Sequence, residues 1–186
     1  TDVKKGDLVC VLTDTTSPWG HYLETDMNVE WSPDGSRLLR SGGGSTRIYN
    51  LYWKEVFRLE GDLGTFSPDG SMVAAKCYGH DSSYAVNLYS SASGALIRSV
   101  NVTATSLPRC LEWSPGGSFL ALGTSGGRIL VWRWGTEQIV SNLSAHGCPV
   151  MSLSWTGSSL VSASEDETVK MWSVDPGSGT VTYLSL

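Results

Sequence analysis

The most constraining feature of the sequence is a short phrase that returns at regular intervals. It reads WSPDGSRLL at Trp31–Leu39, FSPDGSMVA at Phe66–Ala74 and WSPGGSFLA at Trp113–Ala121. A shorter form, WTGSSLVSA, begins at Trp155. A catalytic centre needs its residues once, whereas a stacked structural unit needs them in every copy. The chain is therefore predicted to contain four copies of one supersecondary unit.

Each copy is predicted to contain four short β-strands. The Pro-Asp-Gly turn favours a chain reversal, because Pro33 presets φ at the first turn position and Gly35 tolerates a positive φ. Apolar and β-branched residues follow the turn, and further polar or Gly-rich turns separate the later strands. An aromatic residue lies late in each predicted third strand, and these aromatics recur every 40 to 43 positions: Tyr49, Tyr89, Trp132 and Trp172. Four strands in every ~40–45 residues is the period of a β-propeller blade.

At these residues the chain resembles the WD-repeat family, and the best match is AHGCPVMSLSWTGSSLVSASEDETVKMWSV, from Ala145 to Val174. The resemblance implies a hydrogen-bonded polar chain that links the strands of this blade. Its members would be His146, Asp166, Trp172 and one serine of strand b, either Ser162 or Ser164. The first two repeats lack the family's Gly-His pair, so their aromatics are expected to pack without such a chain.

The resemblance implies an all-β fold, a WD-repeat β-propeller with four full blades plus one stray strand. The blades are expected at residues 27–61, 62–102, 109–144 and 148–186, and residues 6–12, GDLVCVL, are interpreted as the last strand of an upstream blade. Because WD-repeat rings favour about seven blades, the 186-residue chain is interpreted as a single propeller segment of a larger ring. A complete four-bladed ring is the alternative.

Composition excludes several classes of partner. The net charge is −5, which argues against direct nucleic-acid binding because phosphates require a cationic surface. No apolar run approaches the ~20 residues that a membrane-spanning helix needs.

The four cysteines form no CxxC pair, which favours reduced thiols and an intracellular protein, cytoplasmic or nuclear. Asn101 and Asn142 begin Asn-x-Ser/Thr triplets, which are N-glycosylation sequons. Whether they are glycosylated stays open at this stage.

No catalytic, cofactor-binding or metal site is predicted. GTSGG, from Gly123 to Gly127, fits the nucleophile-elbow pattern, but it lies between two predicted strands and an elbow needs a strand followed by a helix. His146, Asp166 and the serine also match the residue types of a catalytic triad, yet the repeat places them inside a blade. The three histidines are too dispersed for a metal site.

The remaining candidates for function lie in the loops. The connection Thr13–Asn28 is longer than a normal link between blades and carries aromatic residues. In the family, these links and the turns between the second and third strands share one face of the ring. The resemblance therefore gives one candidate partner-binding face, mixed aromatic and basic: Trp19, His21, Tyr22, Tyr78, His80, Arg109 and Arg128.

These observations predict a non-catalytic protein–protein interaction platform, a scaffold segment of a larger protein or complex. The expected partner is a protein or peptide with acidic character, together with further blades of the same chain or another subunit. No membrane contact is expected. Two alternatives stay open: the regulatory or sensor repeat region of a larger nucleotide-binding or enzymatic protein, and a subunit of a ribonucleoprotein.

Overall fold

The computed structural model describes residues 28–78, 84–102, 106–136 and 138–184, and every regular element within these ranges is a β-strand. The strands form four antiparallel sheets of four strands each. In each sheet the order in space is the order in sequence, so each sheet is a simple meander. The predicted all-β fold of four four-stranded blades is therefore confirmed. The strand predicted at residues 6–12 lies outside the described residues.

The sixteen strands are short and evenly spread over the four blades. Blade 1 contains β1 (Asn28–Trp31), β2 (Arg37–Gly42), β3 (Ser45–Asn50) and β4 (Glu55–Glu60). Blade 2 contains β5 (Asp62–Phe66), β6 (Met72–Tyr78), β7 (Tyr84–Ser90) and β8 (Leu96–Val102). Blade 3 contains β9 (Pro108–Trp113), β10 (Phe119–Thr124), β11 (Arg128–Arg133) and β12 (Gln138–Ser144). Blade 4 contains β13 (Val150–Thr156), β14 (Ser159–Ser164), β15 (Val169–Val174) and β16 (Val181–Leu184).

The repeated Ser-Pro-Asp-Gly turn joins the first two strands of blades 1 and 2. In blade 1 the Ser32 hydroxyl donates to Asp34 Oδ1 at 2.6 Å, and Gly35 N donates to Ser32 O at 2.8 Å. Gly35 has φ +67°, a conformation that glycine adopts without steric cost. The Ser32 hydroxyl, with the amide and hydroxyl of Ser36, lowers the pKa of Asp34 to about 2. The serine and aspartate of the phrase thus hold the turn closed.

The hydrophobic core lies between successive blades, in three clusters. The first strands are central to this packing: β5 packs against blade 1, β9 against β5, and β13 against β9 and β10. The cluster between blades 1 and 2 contains, among others, Leu39, Ile48, Phe66 and Val73. The cluster between blades 3 and 4 contains, among others, Ala121, Val131, Val150 and Leu160. Within the described ranges, the four blades stack in sequence and do not close into a ring.

The cluster between blades 2 and 3 is built around tryptophans. Trp134 meets Trp113 and Trp132 edge to face, with ring centroids 6.3 Å and 5.9 Å apart. The guanidinium carbon of Arg98, from blade 2, lies 5.8 Å from the Trp134 ring centroid. Trp113 and Trp132 are 5% and 6% exposed, so stacking the blades removes these large rings from water.

Candidate functional site

One edge of the stack collects the turns and links that the sequence singled out. In an antiparallel meander, the start of the first and third strands and the end of the second and fourth lie together. In blade 3, Thr124 pairs with Pro108 and Arg128 pairs with Ser144, which places all four strand ends at one edge. We call this the linker edge: the edge that carries the turns between second and third strands and the links between blades.

Three of the predicted face residues lie at the linker edge in the described part of the chain. Tyr78 ends β6 and is 49% exposed, and its ring meets Tyr84 edge to face at 5.2 Å between centroids. Arg128 begins β11, and its Nε donates to Asn142 Oδ1 at 2.8 Å. Arg109 is half-buried near the start of β9. The other predicted face residues lie outside the described residues: Trp19, His21, Tyr22 and His80.

Electrostatics and ring contacts fix two of these side chains. The ammonium of Lys76, which is buried, lies 5.2 Å from the centroid of the Tyr78 ring. Arg128 also donates from a terminal nitrogen to Ser144 Oγ at 3.2 Å, so two residues of β12 hold its guanidinium. The ring of Tyr78 and the guanidinium of Arg128 are therefore both held by neighbouring side chains.

A continuous polar chain crosses blade 4. The Trp172 indole N–H donates to Ser162 Oγ at 2.9 Å, and Ser162 Oγ lies 2.8 Å from His146 Nε2. The Ser162 hydroxyl therefore donates to His146 Nε2, and His146 Nδ1–H donates to Asp166 Oδ2 at 2.9 Å. Ser164 lies outside this chain, because its hydroxyl donates to the carbonyl of Cys148 at 3.1 Å.

The carboxylate at the end of the chain is held in its ionised form. The Thr168 hydroxyl donates to Asp166 Oδ1 at 2.6 Å, and Gly147 N donates to Oδ2 at 3.2 Å. Thr168, followed by His146 and Gly147, holds the pKa of Asp166 well below its usual range. The polar chain thus ties the link before blade 4 to β14, to β15 and to the turn between them.

Burial determines what the polar chain of blade 4 can do chemically. Its order, serine, histidine and aspartate, is the order of a catalytic triad. Ser162 is 0% exposed, however, and its oxygen already accepts the indole N–H, so no substrate can reach it. The GTSGG segment is equally unsuited to catalysis, since residues 125–127 form the turn between β10 and β11. Ser162 is part of a buried hydrogen-bonded chain, and the serine of GTSGG lies in a turn between two strands.

Blade 2 has a polar network of a different kind. The Tyr89 hydroxyl donates to the carbonyl of Glu60 at 3.0 Å and accepts from Asn87 Nδ2 at 3.0 Å. The Cys77 thiol donates to the same carbonyl at 3.2 Å. Burial raises the pKa of both Cys77 and Tyr89 to about 12, so neither ionises near neutral pH. The expectation that Tyr89 only packs is wrong, because its hydroxyl forms hydrogen bonds with Glu60 and Asn87.

Blades 1 and 3 differ again. In blade 1 the Thr46 hydroxyl donates to the carbonyl of Gly61 at 2.8 Å and lies 2.9 Å from Ser41 Oγ. In blade 3 the register places Leu122 where blade 4 has Ser162. Among the described residues, the buried Trp132 N–H accordingly has no hydrogen-bond partner. The polar chain of blade 4 is therefore not repeated in blades 1 and 3.

A pair of glutamates on the first strands escaped the sequence analysis. Glu30 of β1 and Glu112 of β9 each stand directly before the tryptophan of the repeated phrase. Phe66 N, on the intervening strand β5, donates to Glu30 Oε1 at 3.3 Å. Burial, with the negative charge of Glu30, raises the pKa of Glu112 to about 7, and burial also raises the pKa of Glu30. The shared position before the tryptophan was the available signal.

The described residues form neither a metal site nor a membrane-spanning helix. No group of three or more histidine, cysteine, aspartate or glutamate side chains there is placed to hold a metal ion. In the same part of the chain, no helix has the length and apolar character required to cross a bilayer.

Comparison with known proteins agrees with this geometry. The family model for the WD domain, G-beta repeat, matches residues 75–133 and 137–173, just over half of the chain. The chain belongs to the WD-repeat family. The matched ranges hold most of blades 2, 3 and 4, including the WD-repeat polar chain of blade 4.

The curated relatives are WD-repeat proteins matched over partial segments. The chain is 48% identical over 63 residues to the retinoblastoma-binding protein 5 homolog of Drosophila melanogaster, covering 33% of this chain and 13% of the relative. It is 37% identical over 67 residues to the pre-rRNA-processing protein IPI3 of Mycosarcoma maydis, covering 35% and 11%. It is 33% identical over 69 residues to the COMPASS component SWD1 of Saccharomyces cerevisiae, covering 34% and 16%. The matches thus span under a fifth of each WD-repeat relative.

Proposed function

We propose that this chain is a non-catalytic protein–protein interaction platform, a WD-repeat scaffold segment of a larger protein or complex. The observation that carries the proposal is the linker edge, where the ends of neighbouring strands carry Tyr78, Arg109 and Arg128. Tyrosine and arginine are enriched among the residues that dominate binding at protein interfaces. The buried Ser162 supports the non-catalytic part of the proposal.

The scaffold supports recognition by limiting the cost of binding. Each blade is a four-stranded sheet, and hydrophobic clusters between the blades hold successive sheets together. Side chains at the linker edge are further held by Asn142, Ser144 and Tyr84. A partner therefore orders few groups when it binds.

The partner proposed for this edge is a protein or peptide with acidic character. Arg128 supplies a cation at this edge, and the buried ammonium of Lys76 lies 5.2 Å from the centroid of the Tyr78 ring. One relative is named as a component of COMPASS and another as a pre-rRNA-processing protein, and these names support membership of an intracellular assembly. The proposed setting is the nucleus or cytoplasm. Partner contacts through Trp19, His21, Tyr22 and His80 are part of the same proposal.

Site-specific photocrosslinking tests the proposal. A photoreactive phenylalanine analogue replaces Tyr78 in the tagged chain, and in a matched control it replaces Tyr52. Tyr52 is 90% exposed and lies in the turn after β3, at the opposite edge of blade 1. Crosslinking in cells should give discrete protein adducts from position 78 that position 52 does not give, and Arg128→Glu should reduce them.

Two outcomes would count against an interaction platform at this edge. One is the same adduct pattern from positions 78 and 52. The other is crosslinking of position 78 to nucleic acid alone, which would favour a ribonucleoprotein subunit.

A further inference from the structure

The turn between the first two strands of blade 3 lacks the aspartate that closes the same turn in blades 1 and 2. Residues 32–36 and 67–71 read Ser-Pro-Asp-Gly-Ser, whereas residues 114–118 read Ser-Pro-Gly-Gly-Ser. Gly116 therefore stands where the other two turns have an aspartate. One copy of a repeated turn has thus lost its carboxylate and kept both of its serines.

In blades 1 and 2 this carboxylate collects three hydrogen-bond donors. Asp69 Oδ1 accepts from the Ser67 hydroxyl at 2.6 Å, from Ser71 N at 3.0 Å and from the Ser71 hydroxyl at 2.9 Å. The equivalent donors lie 2.6, 3.0 and 2.8 Å from Asp34 Oδ1. These hydrogen bonds lower the pKa of both carboxyls, so each turn stabilises the negative charge that it holds.

The backbone of the blade 3 turn is unchanged by the loss of the aspartate. Gly117 N donates to Ser114 O at 2.8 Å, the same distance as in the other two turns. Phe119 N donates to Ser114 Oγ at 3.0 Å, where the matching distances are 2.9 and 3.0 Å. The φ of Gly117 is +68°, against +67° and +71° at the matching glycines. The turn therefore holds the Ser114 hydroxyl and the Ser118 amide in the positions that serve a carboxylate in blades 1 and 2.

The position of the missing carboxylate is open. A Cβ built on Gly116 would have no atom within 4 Å. Within the described residues, Ser118 uses its carbonyl, which accepts from Trp134 N at 2.9 Å, but its amide and hydroxyl have no acceptor. Ser118 is exposed, so a ligand can reach these donors.

The open position borders a cleft of about 770 Å³ between blades 2 and 3. Residues 115–118 form one side of the cleft, and residues 67–69 and Met72 form the side that belongs to blade 2. Residues 133–136 of the turn before β12 complete the lining. Met72 and Trp134 are half-buried in this lining and give it apolar surface. The cleft can therefore hold apolar groups next to a bound carboxylate.

We infer that the blade 3 turn and this cleft bind a segment of a partner protein through one aspartate side chain. The carboxylate accepts from the Ser114 hydroxyl and from Ser118, as the aspartates of blades 1 and 2 do within their own turns. Apolar neighbours in the segment pack on Met72 and Trp134. The turns between first and second strands lie at the edge opposite the linker edge, so this site is separate from the proposed function and is tested independently.

The cleft favours a protein segment over a small or highly charged anion. Hydrogen bonds at an exposed turn gain little over those made with water, so a carboxylate alone would bind weakly and needs the apolar contacts. Arg133 and Asp69 line the cleft as one cation and one anion, which gives it no general attraction for polyanions.

Binding of short peptides to the immobilised chain tests the inference. The probe is the capped peptide acetyl-Ser-Leu-Asp-Leu-Ser-amide, which carries a single carboxylate between apolar side chains. The control peptide has asparagine in place of aspartate. Surface plasmon resonance should show that the wild-type chain binds the aspartate peptide about tenfold or more tightly, because an ionised acceptor strengthens each hydrogen bond.

Gly116→Asp is the deciding variant, because its carboxylate would occupy the donors from within the chain. It should weaken binding of the aspartate peptide by about tenfold or more and raise the melting temperature, whereas Gly116→Ala should leave the affinity within about twofold. Ser118→Ala removes one donor and should also weaken binding. Ser36→Ala is its matched control, because the same serine of blade 1 already serves Asp34 and lies outside the cleft.

Equal affinity for the two peptides, no binding by the wild type, or unchanged binding by Gly116→Asp and Ser118→Ala would each overturn the inference. Acetate or inorganic phosphate that binds as tightly as the peptide would also overturn it, since the site would then recognise a small anion instead of a protein segment.

Discussion

Ser162 is the residue on which the polar chain of blade 4 depends. Its hydroxyl accepts a hydrogen bond from the Trp172 N–H and donates one to His146, and it is fully buried. Its loss would leave a buried indole N–H and a buried imidazole nitrogen unsatisfied. Ser164 has the same side chain two residues later and bonds only to nearby backbone.

Ser162→Ala should lower the free energy of unfolding by about 1–3 kcal/mol, the cost of buried groups left without partners. Ser164→Ala should cost less than about 1 kcal/mol, since its neighbours can bond to water. Urea unfolding of both variants measures the difference. Equal effects of the two substitutions would show that the chain through Ser162 adds nothing specific to stability.

Glu112 gives the protein a pH dependence near neutrality. Its pKa is raised from 4.5 to about 7, so the folded state resists ionisation that the unfolded state permits. Below about pH 4.5 the group is protonated in both states and has no effect on stability. As the pH rises toward 7 and above, the folded state becomes less stable than it would be without this carboxyl.

Glu112→Gln should therefore raise the melting temperature at pH 8 more than at pH 5. Thermal melts at intervals from pH 5 to pH 8 test this, with Glu165→Gln as the control because Glu165 is exposed in a turn. A melting temperature difference between Glu112→Gln and wild type that stays constant over this range would contradict the assignment of the neutral titration to Glu112.

The sequence could identify part of the residue-level picture. His146, Asp166 and Trp172 follow from one local pattern, but the choice between Ser162 and Ser164 depends on strand register, which pairs Leu160 with Trp172. The network of Tyr89 and Cys77 was missed because it ends on a backbone carbonyl, which no side-chain pattern records. The proximity of Glu30 and Glu112 depends on how the blades stack. Local spacing contains no information about that stacking.

At the scale of elements, the turn between β10 and β11 of blade 3 is hydrogen-bonded to the link that precedes blade 4. The carbonyl of Gly127 accepts from the amides of Ala145 and His146, at 3.0 Å and 2.9 Å. Gly127 has φ +73°, and a Cβ there would collide with the carbonyl oxygen of His146. This close approach positions His146 for the polar chain of the following blade.

Gly127→Ala should destabilise the chain by about 3 kcal/mol or more, because the collision adds to the ~1–2 kcal/mol cost of a left-handed alanine. Gly135→Ala is the matched control: Gly135 has φ +90° with open space around it, so only the backbone cost applies. Chemical denaturation of both variants tests the prediction, and similar losses would remove the role of the close approach.

The element scale is also where the sequence was most informative. The repeated phrase marks the reversal between first and second strands, because its serine, proline, aspartate and glycine each have a distinct part in one turn. The spaced aromatics identified the third strands, and Tyr49, Tyr89, Trp132 and Trp172 all lie within β3, β7, β11 and β15. Turn chemistry and period are local properties, which is why the four-bladed pattern could be predicted.

At the scale of the whole molecule, the outer face of blade 4 presents an apolar row. Val161, Met171 and Leu184 are cross-strand partners on β14, β15 and β16. The corresponding Ala121 and Val131 of blade 3 are 0% exposed beneath blade 4. Leu184 is 36% exposed and the nearby Val169 is 69% exposed. Such a face favours association.

The isolated 186-residue chain should therefore associate as its concentration rises. The double variant Val169→Lys, Met171→Lys should remain monomeric at higher concentration, while Tyr52→Lys, which adds charge to a distant exposed turn, should not. Light scattering over a concentration series measures this. A wild-type chain that stays monomeric throughout would contradict the prediction.

The meander order of every sheet has a kinetic consequence. Each strand pairs only with its neighbour in sequence, so the chain closes short loops and each blade can assemble from one continuous stretch. The contact order within a blade is low for a β-protein, and folding can start in any blade and spread to the next. When the ends are pulled apart, the same locality lets the protein extend in discrete steps, one blade at a time.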